Sequence, residues 1–286
     1  MMLRALLPTI ALALTASLAA AQTYPGSRLE HIQGTKSIRI AYRSDATPFS
    51  FVNEQKEPVG YTIDLCKQVV GGIERQLGVQ PLTIQWVPVT TETRFDAVAK
   101  GQADMECGSS TVTLGRMKQV DFSSFVFVES TAVAIKTTST LRSIEDMAGK
   151  TIAVIPGTTN QRALADGIRV GKLGAKLVPV KDRDEGVAAL ESGKVDGFAS
   201  DKLLLAGAPF KDPKAITLLP EDLSFEPYGI VLPRGDWAFR LAVNSALADF
   251  YRSGRIVGLF EAWFGRVGLR PGVMLKAAYM FGALPE

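Results

Sequence analysis

The sequence predicts an α/β protein built as two similarly organised lobes, and three observations carry that reading. Phe95-Asp-Ala-Val-Ala-Lys-Gly-Gln-Ala-Asp-Met105 is echoed by Val187-Ala-Ala-Leu-Glu-Ser-Gly-Lys-Val-Asp-Gly197, each an amphipathic helix, a glycine stop and an Asp-bearing strand start. Short strands with period-two patterning alternate with helical apolar stripes along most of the chain. Two turns of small hydrogen-bonding residues, Gly108-Ser-Ser-Thr111 and Gly157-Thr-Thr-Asn160, each follow a strand and lead into a helix.

The chain opens with Met1-Met-Leu-Arg4, runs apolar through Ala19 and reaches Ala19-Ala-Ala21 before Gln22. One early cation, an apolar core and small residues ahead of a polar one predict a secretory signal peptide over residues 1–21. Pro8 and Thr9 interrupt its apolar run, which speaks for cleavage rather than a retained anchor. Removing it takes away only Arg4, so 32 basic residues become 31 against 29 acidic ones, a formal charge of +2. That balance excludes a general nucleic-acid binder. The length suffices for two modest lobes, each with its own core. Two cysteines and one histidine, His31, leave no material for a zinc cluster or a histidine-based triad.

Ser37-Ile-Arg-Ile-Ala-Tyr42 alternates as a half-buried strand does and breaks at Arg43-Ser-Asp-Ala-Thr-Pro-Phe49. Open α/β sheets place ligands at strand carboxyl ends, which makes Arg43 and Phe49 candidates for a pocket wall. The alternatives are a solvated loop cation and a core plug. Tyr61 to Val70 carries a helical stripe that Gly71 and Gly72 are expected to stop. Thr83 to Val89 is the next strand, followed by a short helix from Arg94 through Phe95, Val98 and Ala99. Phe125 to Ile135 is a long β-prone run with a polar notch at Glu129 to Thr131, suited to a strand that passes between lobes. Lys150 to Ile155, Ala175 to Val180 and Val195 to Ser200 read as strands of the second lobe. Asp201 then either caps the helix through Leu203-Leu-Leu or faces a ligand. Glu226 to Pro233 returns to the first lobe, and the runs from Trp237 to Phe250 and Ile256 to Phe264 are core helices.

The stretch from Asp104 to Phe122 carries the strongest chemical signal. A strand ending at Gly108 releases the chain into Ser109, Ser110, Thr111 and Thr113, all good N-cap residues, so a helix starting there would aim free N–H groups and hydroxyls at one point. That describes an anion seat, to which Arg116 adds a planar fork suited to a carboxylate. An ordinary capped helix with a solvated Arg is the alternative. The turn with Thr158, Thr159 and Asn160 mirrors the first, and two such seats can face one anion across a cleft.

Several separated motifs resemble, in matching order, the periplasmic amino-acid-binding proteins of ATP-binding-cassette importers, bacterial solute-binding protein family 3, and especially the glutamate/aspartate binders. They are Arg43-Ser-Asp-Ala-Thr-Pro-Phe, Gly60-Tyr-Thr-Ile-Asp-Leu, Glu106-Cys-Gly-Ser-Ser-Thr with Arg116, Gly157-Thr-Thr, Leu190-Glu-Ser-Gly, Asp201 with Leu204-Leu-Ala-Gly, and Tyr228-Gly-Ile-Val-Leu. The resemblance implies the two-lobe periplasmic-binding-protein fold (type II), each lobe a mixed sheet flanked by helices and joined by two crossing strands. Lobe 1 would comprise residues 22–129 and 227–286, and lobe 2 residues 130–226. It implies a monomeric periplasmic receptor without cofactor that passes an L-amino acid, glutamate or aspartate, to a membrane permease. By that resemblance Arg116 holds the α-carboxylate with Thr111 and Thr159, and Asp201 accepts the α-ammonium beside Ser109. Arg43, Thr91, Arg94 and Arg183 surround the side chain. The resembling binders tend to carry His at the position of Arg183, so Arg183 either strengthens the acidic preference or fills the pocket and favours aspartate. Glu92 either neutralises Arg94 or points to water. Cys66 and Cys107 either pair, the helix of one packing beside the strand of the other, or stay buried thiols. Exported dehydratases of the same fold and sensor modules for membrane kinases are the rival classes.

Overall fold

The computed structural model describes residues 25–171 and 174–285, so the expected signal peptide lies outside the described residues. The chain begins with α1 (Arg28–Thr35), an element that the polar composition of this region concealed. Tertiary contact explains it: Asp236 accepts hydrogen bonds from Ser27 Oγ and Arg28 N, both at 2.7 Å, and Leu29 and Ile32 are fully buried. β1 (Ser37–Arg43) follows, then the antiparallel ribbon of β2 (Asp45–Ala46), β3 (Ser50–Val52) and β4 (Pro58–Val59).

α2 (Tyr61–Leu77) runs past Gly71 and Gly72, where the sequence pattern placed its stop, and ends at Gly78 in the left-handed conformation with φ 64°. The reason for Gly72 is close packing. A Cβ there would lie 2.4 Å from the Cβ of Ala246 on the helix packed against α2. β5 (Thr83–Val89), α3 (Arg94–Ala99), β6 (Met105–Glu106) and β7 (Asp121–Glu129) complete the first passage through lobe 1.

At the polar notch the chain crosses into β8 (Thr131–Lys136). β9 (Thr151–Val154), α4 (Thr159–Gly171), β10 (Lys176–Pro179), α5 (Arg183–Ser192), β11 (Gly197–Asp201), α6 (Lys202–Ala206) and β12 (Ile216–Leu218) build the second lobe. β13 (Glu226–Leu232) brings the chain back, and α7 (Trp237–Arg252), α8 (Arg255–Phe264) and α9 (Val273–Gly282) pack on the first lobe.

The two main sheets have the orders β5-β1-β6-β13-β7 and β10-β9-β11-β8-β12. In each, three parallel strands are followed by one that runs against them, β13 in the first and β8 in the second, and then by an edge strand, β7 or β12, that pairs antiparallel to it and so runs with the first three. This makes both sheets mixed and gives them matching architecture. The repeated helix-Gly-strand unit lands at equivalent places, α3 into β6 and α5 into β11. Lobe 1 buries an aromatic cluster in which Phe49 packs against Tyr61, Phe127, Tyr228 and Phe264. Lobe 2 packs on both faces of its sheet, around Leu190 and Phe198 on one side and Ile152 and Leu164 on the other. Cys66 on α2 is disulfide-bonded to Cys107 at the end of β6, so the pairing alternative holds. The carboxyl ends of β1, β5 and β6 in one lobe and of β9 and β11 in the other meet at a single cleft.

Candidate functional site: the interlobe cleft

All of the site residues named from sequence except Phe49 line one cavity between the lobes, joined there by Ile155, Asn160 and Ala199. Phe49 is not a wall residue. It is fully buried, with its ring edge-on to Tyr228 at 5.2 Å, so it plugs the core behind the cleft. A strand-end aromatic can turn to either side of the backbone, and here apolar burial decides.

Asp201, at the end of β11, is the clearest polar anchor. Its Oδ1 accepts from Asn160 Nδ2 and its Oδ2 from Tyr228 OH, each at 2.6 Å. It makes no side-chain cap bond to α6, which removes the capping alternative. Burial raises its pKa above the ordinary carboxylate value, with the charge of Glu226 adding to the effect and the bonds from Tyr228 and Asn160 opposing it.

Beside it Glu226 stands where β13 re-enters lobe 1, a position with no local pattern that marks its role. Its Oε2 accepts from Thr111 of lobe 1 and Thr159 of lobe 2, both at 2.6 Å. Its Oε1 accepts from Ser224 at 2.6 Å and Thr131 at 3.3 Å. The two cleft threonines are themselves 3.4 Å apart, so the lobes touch across the cleft floor. Thr158 is used differently: its hydroxyl donates to Ile155 O and accepts from Gln161 N, which starts α4.

The helix expected after Ser109 is only a 3-10 turn over Arg116–Lys118, begun by Thr113 Oγ1 accepting from Arg116 N. The Ser/Thr stretch is instead a loop tied to neighbouring strands. Gly229 N donates to Ser110 O, Val112 N to Pro227 O, and Ser110 Oγ to the Glu106 carboxylate. The Ser/Thr turn of lobe 1 is thus a loop followed by a single 3-10 turn bearing Arg116, and not a helix N-terminus. Arg116 Nη1 donates to Thr111 O at 2.8 Å, and its guanidinium lies 4.8 Å from the Phe95 ring centre. Arg94 stacks on the same ring at 4.5 Å and donates to Thr91 O. Phe95 therefore fixes two cations at once, a role that sequence inspection passed over.

Arg43, Arg94 and Arg183 are all nearly inaccessible to solvent, and the Nε of each has no hydrogen-bond partner. Burial lowers the pKa of Arg94, aided by the like charges of Arg116 and Arg43. Arg43 is likewise lowered by burial, against the pull of Asp45. Asp45 Oδ1 and Oδ2 accept from Arg43 Nη2 at 2.5 and 2.8 Å, and Arg183 Nη1 reaches Asp45 O and Oδ2 at 3.2 and 3.3 Å. Glu106 is fully buried with Oε1 unpartnered, and burial raises its pKa against the opposing charge of Arg94. Glu92 points to water and neutralises nothing in the cleft. At this end of the cleft three guanidiniums thus face two carboxylates, Asp45 and Glu106, and Arg116 acts on Arg94 and Glu106 as well.

Residues 38–266 match the family described as bacterial extracellular solute-binding proteins, family 3. The chain belongs to that family. This solute-binding protein is 35% identical over 239 residues to an L-glutamate/L-aspartate-binding protein of Pseudomonas aeruginosa, with 82% of this chain and 79% of that protein covered. It is 31% identical to a glutamate/aspartate import solute-binding protein of Salmonella typhimurium, covering 84% and 80% of the two chains. Among solved structures it resembles an ancestral amino acid-binding protein, a precursor of cyclohexadienyl dehydratase, with a TM-score of 0.72 and 26% identity over 83% of this chain and all of the other. The two-lobe fold is that of the type II periplasmic binding proteins, and the protein is a solute-binding receptor for amino acids.

Proposed function

We propose that this receptor captures L-glutamate or L-aspartate between its lobes in the periplasm and hands it, as a monomer, to an ATP-binding-cassette permease. The cluster of Arg43, Arg94 and Arg183 carries this reading. Buried guanidiniums left with unpaired donors are costly, and a ligand carboxylate supplies them with both acceptors and an opposite charge. A neutral side chain leaves the imbalance, and a basic one enlarges it. The α-carboxylate is assigned to Arg116 with Thr111 and Thr159, whose hydroxyls turn to it from Glu226, and the α-ammonium to Asp201, whose bonds to Asn160 and Tyr228 fix its orientation. The relatives named for glutamate and aspartate support the same choice.

No acid/base pair is assigned, so the protein is read as a receptor and not an enzyme. Asp201 is held by two neutral donors, and Glu106 serves as a counter-charge to the arginines. Ligand stabilises closure because only the closed form lets both lobes contact it at once. Titration calorimetry on refolded, ligand-stripped protein is expected to show binding of an acidic L-amino acid and none of lysine. Absence of heat with every amino acid would remove the proposal.

A further inference from the structure

The distal end of the cleft contains a carboxylate of the protein's own. Asp45, on the short β2 of lobe 1, takes both of its hydrogen bonds from Arg43 through one nitrogen, Nη2. Arg183, the first residue of α5 in lobe 2, reaches across to the same carboxylate and to the Asp45 backbone oxygen. Asp45 thus bridges two guanidiniums from opposite lobes, which is the arrangement a ligand carboxylate would otherwise adopt between them. Arg94, buried in the lobe 1 wall, makes no such bond: its donor contact is to the Thr91 backbone, and the opposite charge acting on it is Glu106.

We propose that Asp45 limits the length of the bound side chain, so that the cleft prefers aspartate to glutamate. The proposal rests on the reading of the site as a receptor for an acidic amino acid. A short acid anchored at Arg116 and Asp201 presents its side-chain carboxylate to Arg94 and leaves the Arg43, Asp45 and Arg183 bridge intact. An acid longer by one methylene carries its carboxylate toward Asp45. It must then either fold its chain or displace Asp45 from the two arginines, leaving two carboxylates facing each other in a buried site. Discrimination by one methylene is typically about 10-fold to 200-fold.

Calorimetric affinities for L-aspartate and L-glutamate, measured on the native protein and on Asp45→Asn and Asp45→Ser, test this. The first variant keeps the shape and removes the charge, and the second removes bulk as well. Thermal unfolding of each shows that it is folded, and two variants guard against the failure of one. The native protein is expected to bind aspartate at least about 10-fold more tightly than glutamate, with that ratio falling about 10-fold or more in both variants. A native preference for glutamate overturns the proposal. So does an equal weakening of both acids with the ratio unchanged, which would make Asp45 a purely structural partner of the arginines. If the native protein binds neither acid but binds another amino acid, the acidic reading itself falls, a result separate from a failed ratio.

Discussion

Arg116 and Arg94 lie against one aromatic ring, yet they face different ends of the proposed ligand. Arg116 sits among the groups assigned to the invariant end, near Thr111, Glu226 and Asp201, whereas Arg94 sits with Arg43 and Glu106. Arg116→Ala is therefore expected to weaken every amino-acid ligand, by about 100-fold or more, because the α-carboxylate would be left buried without its charged partner. Arg94→Gln is expected to weaken acidic ligands selectively, and calorimetry against glutamate and glutamine separates the two effects. Equal losses for both ligands in Arg94→Gln would refute its assigned role. Tyr228→Phe removes one of the two donors to the Asp201 carboxylate, and about 10-fold weaker binding is expected with little change in fold. Arg43 and Arg116 could be named from where they fall beside strand ends and turns, whereas Arg94, Arg183 and the choice of ligand over cap for Asp201 came with the resemblance to a known family. Asp45 and Glu226 could be named from neither, because a carboxylate in a loop or at a strand start has no periodic signature and only its partners reveal its use.

At the scale of elements, α2 shows how packing overrides a local stop signal. Two consecutive glycines weaken a helix, but Gly72 lies where α7 comes too close for any side chain. Gly72→Ala gains helix propensity and is still expected to destabilise the protein by about 1–3 kcal/mol, since the new methyl must push α7 away. Chemical denaturation of the variant measures it. The Cys66–Cys107 bond ties the same helix to the end of β6, next to the Ser/Thr loop of the cleft, and closes a loop with a sequence separation of 41 residues. Cys66→Ala combined with Cys107→Ala is expected to lower unfolding stability by roughly 2–4 kcal/mol, read in urea under non-reducing conditions. α1 illustrates the opposite failure of local reading, as a polar segment becomes helical because Asp236, far along the chain, holds its first turn.

At the scale of the molecule, the two crossings between lobes carry the acidic hinge. Glu129 ends β7 at the first crossing, and Glu226 opens β13 at the second, paired in register with it. Burial raises the Glu129 pKa from 4.5 to about 7, with the Asp201 charge adding to the rise and the Ser130 backbone bond and the Lys202 charge opposing it. Between those values the folded state binds more protons than the unfolded one, so stability is expected to fall as pH rises from about 4.5 to 7 and to level off above. The size of this contribution is at most on the order of 3 kcal/mol. Glu129→Gln should flatten it, which denaturation midpoints at pH 5 and pH 8 will show. An unchanged pH dependence in that variant would exclude Glu129 as its source.

Read alone, the sequence determined the α/β class, the two similar lobes and the crossing strand with its polar notch, and it named the two Ser/Thr turns, Arg43 and Arg116 as candidates, while the resemblance to a known family added Thr91, Arg94 and Arg183. These are legible because periodicity, glycine stops and charged residue types are local properties of a chain. Only the tertiary structure decided that Phe49 faces the core, that the Ser/Thr stretch of lobe 1 is a loop instead of a helix start, and that Cys66 bonds Cys107. It alone showed that Asp45 and Glu226 join groups from both lobes, because such bonds link residues 67 to 138 positions apart whose meeting depends on how two separate sheets face each other.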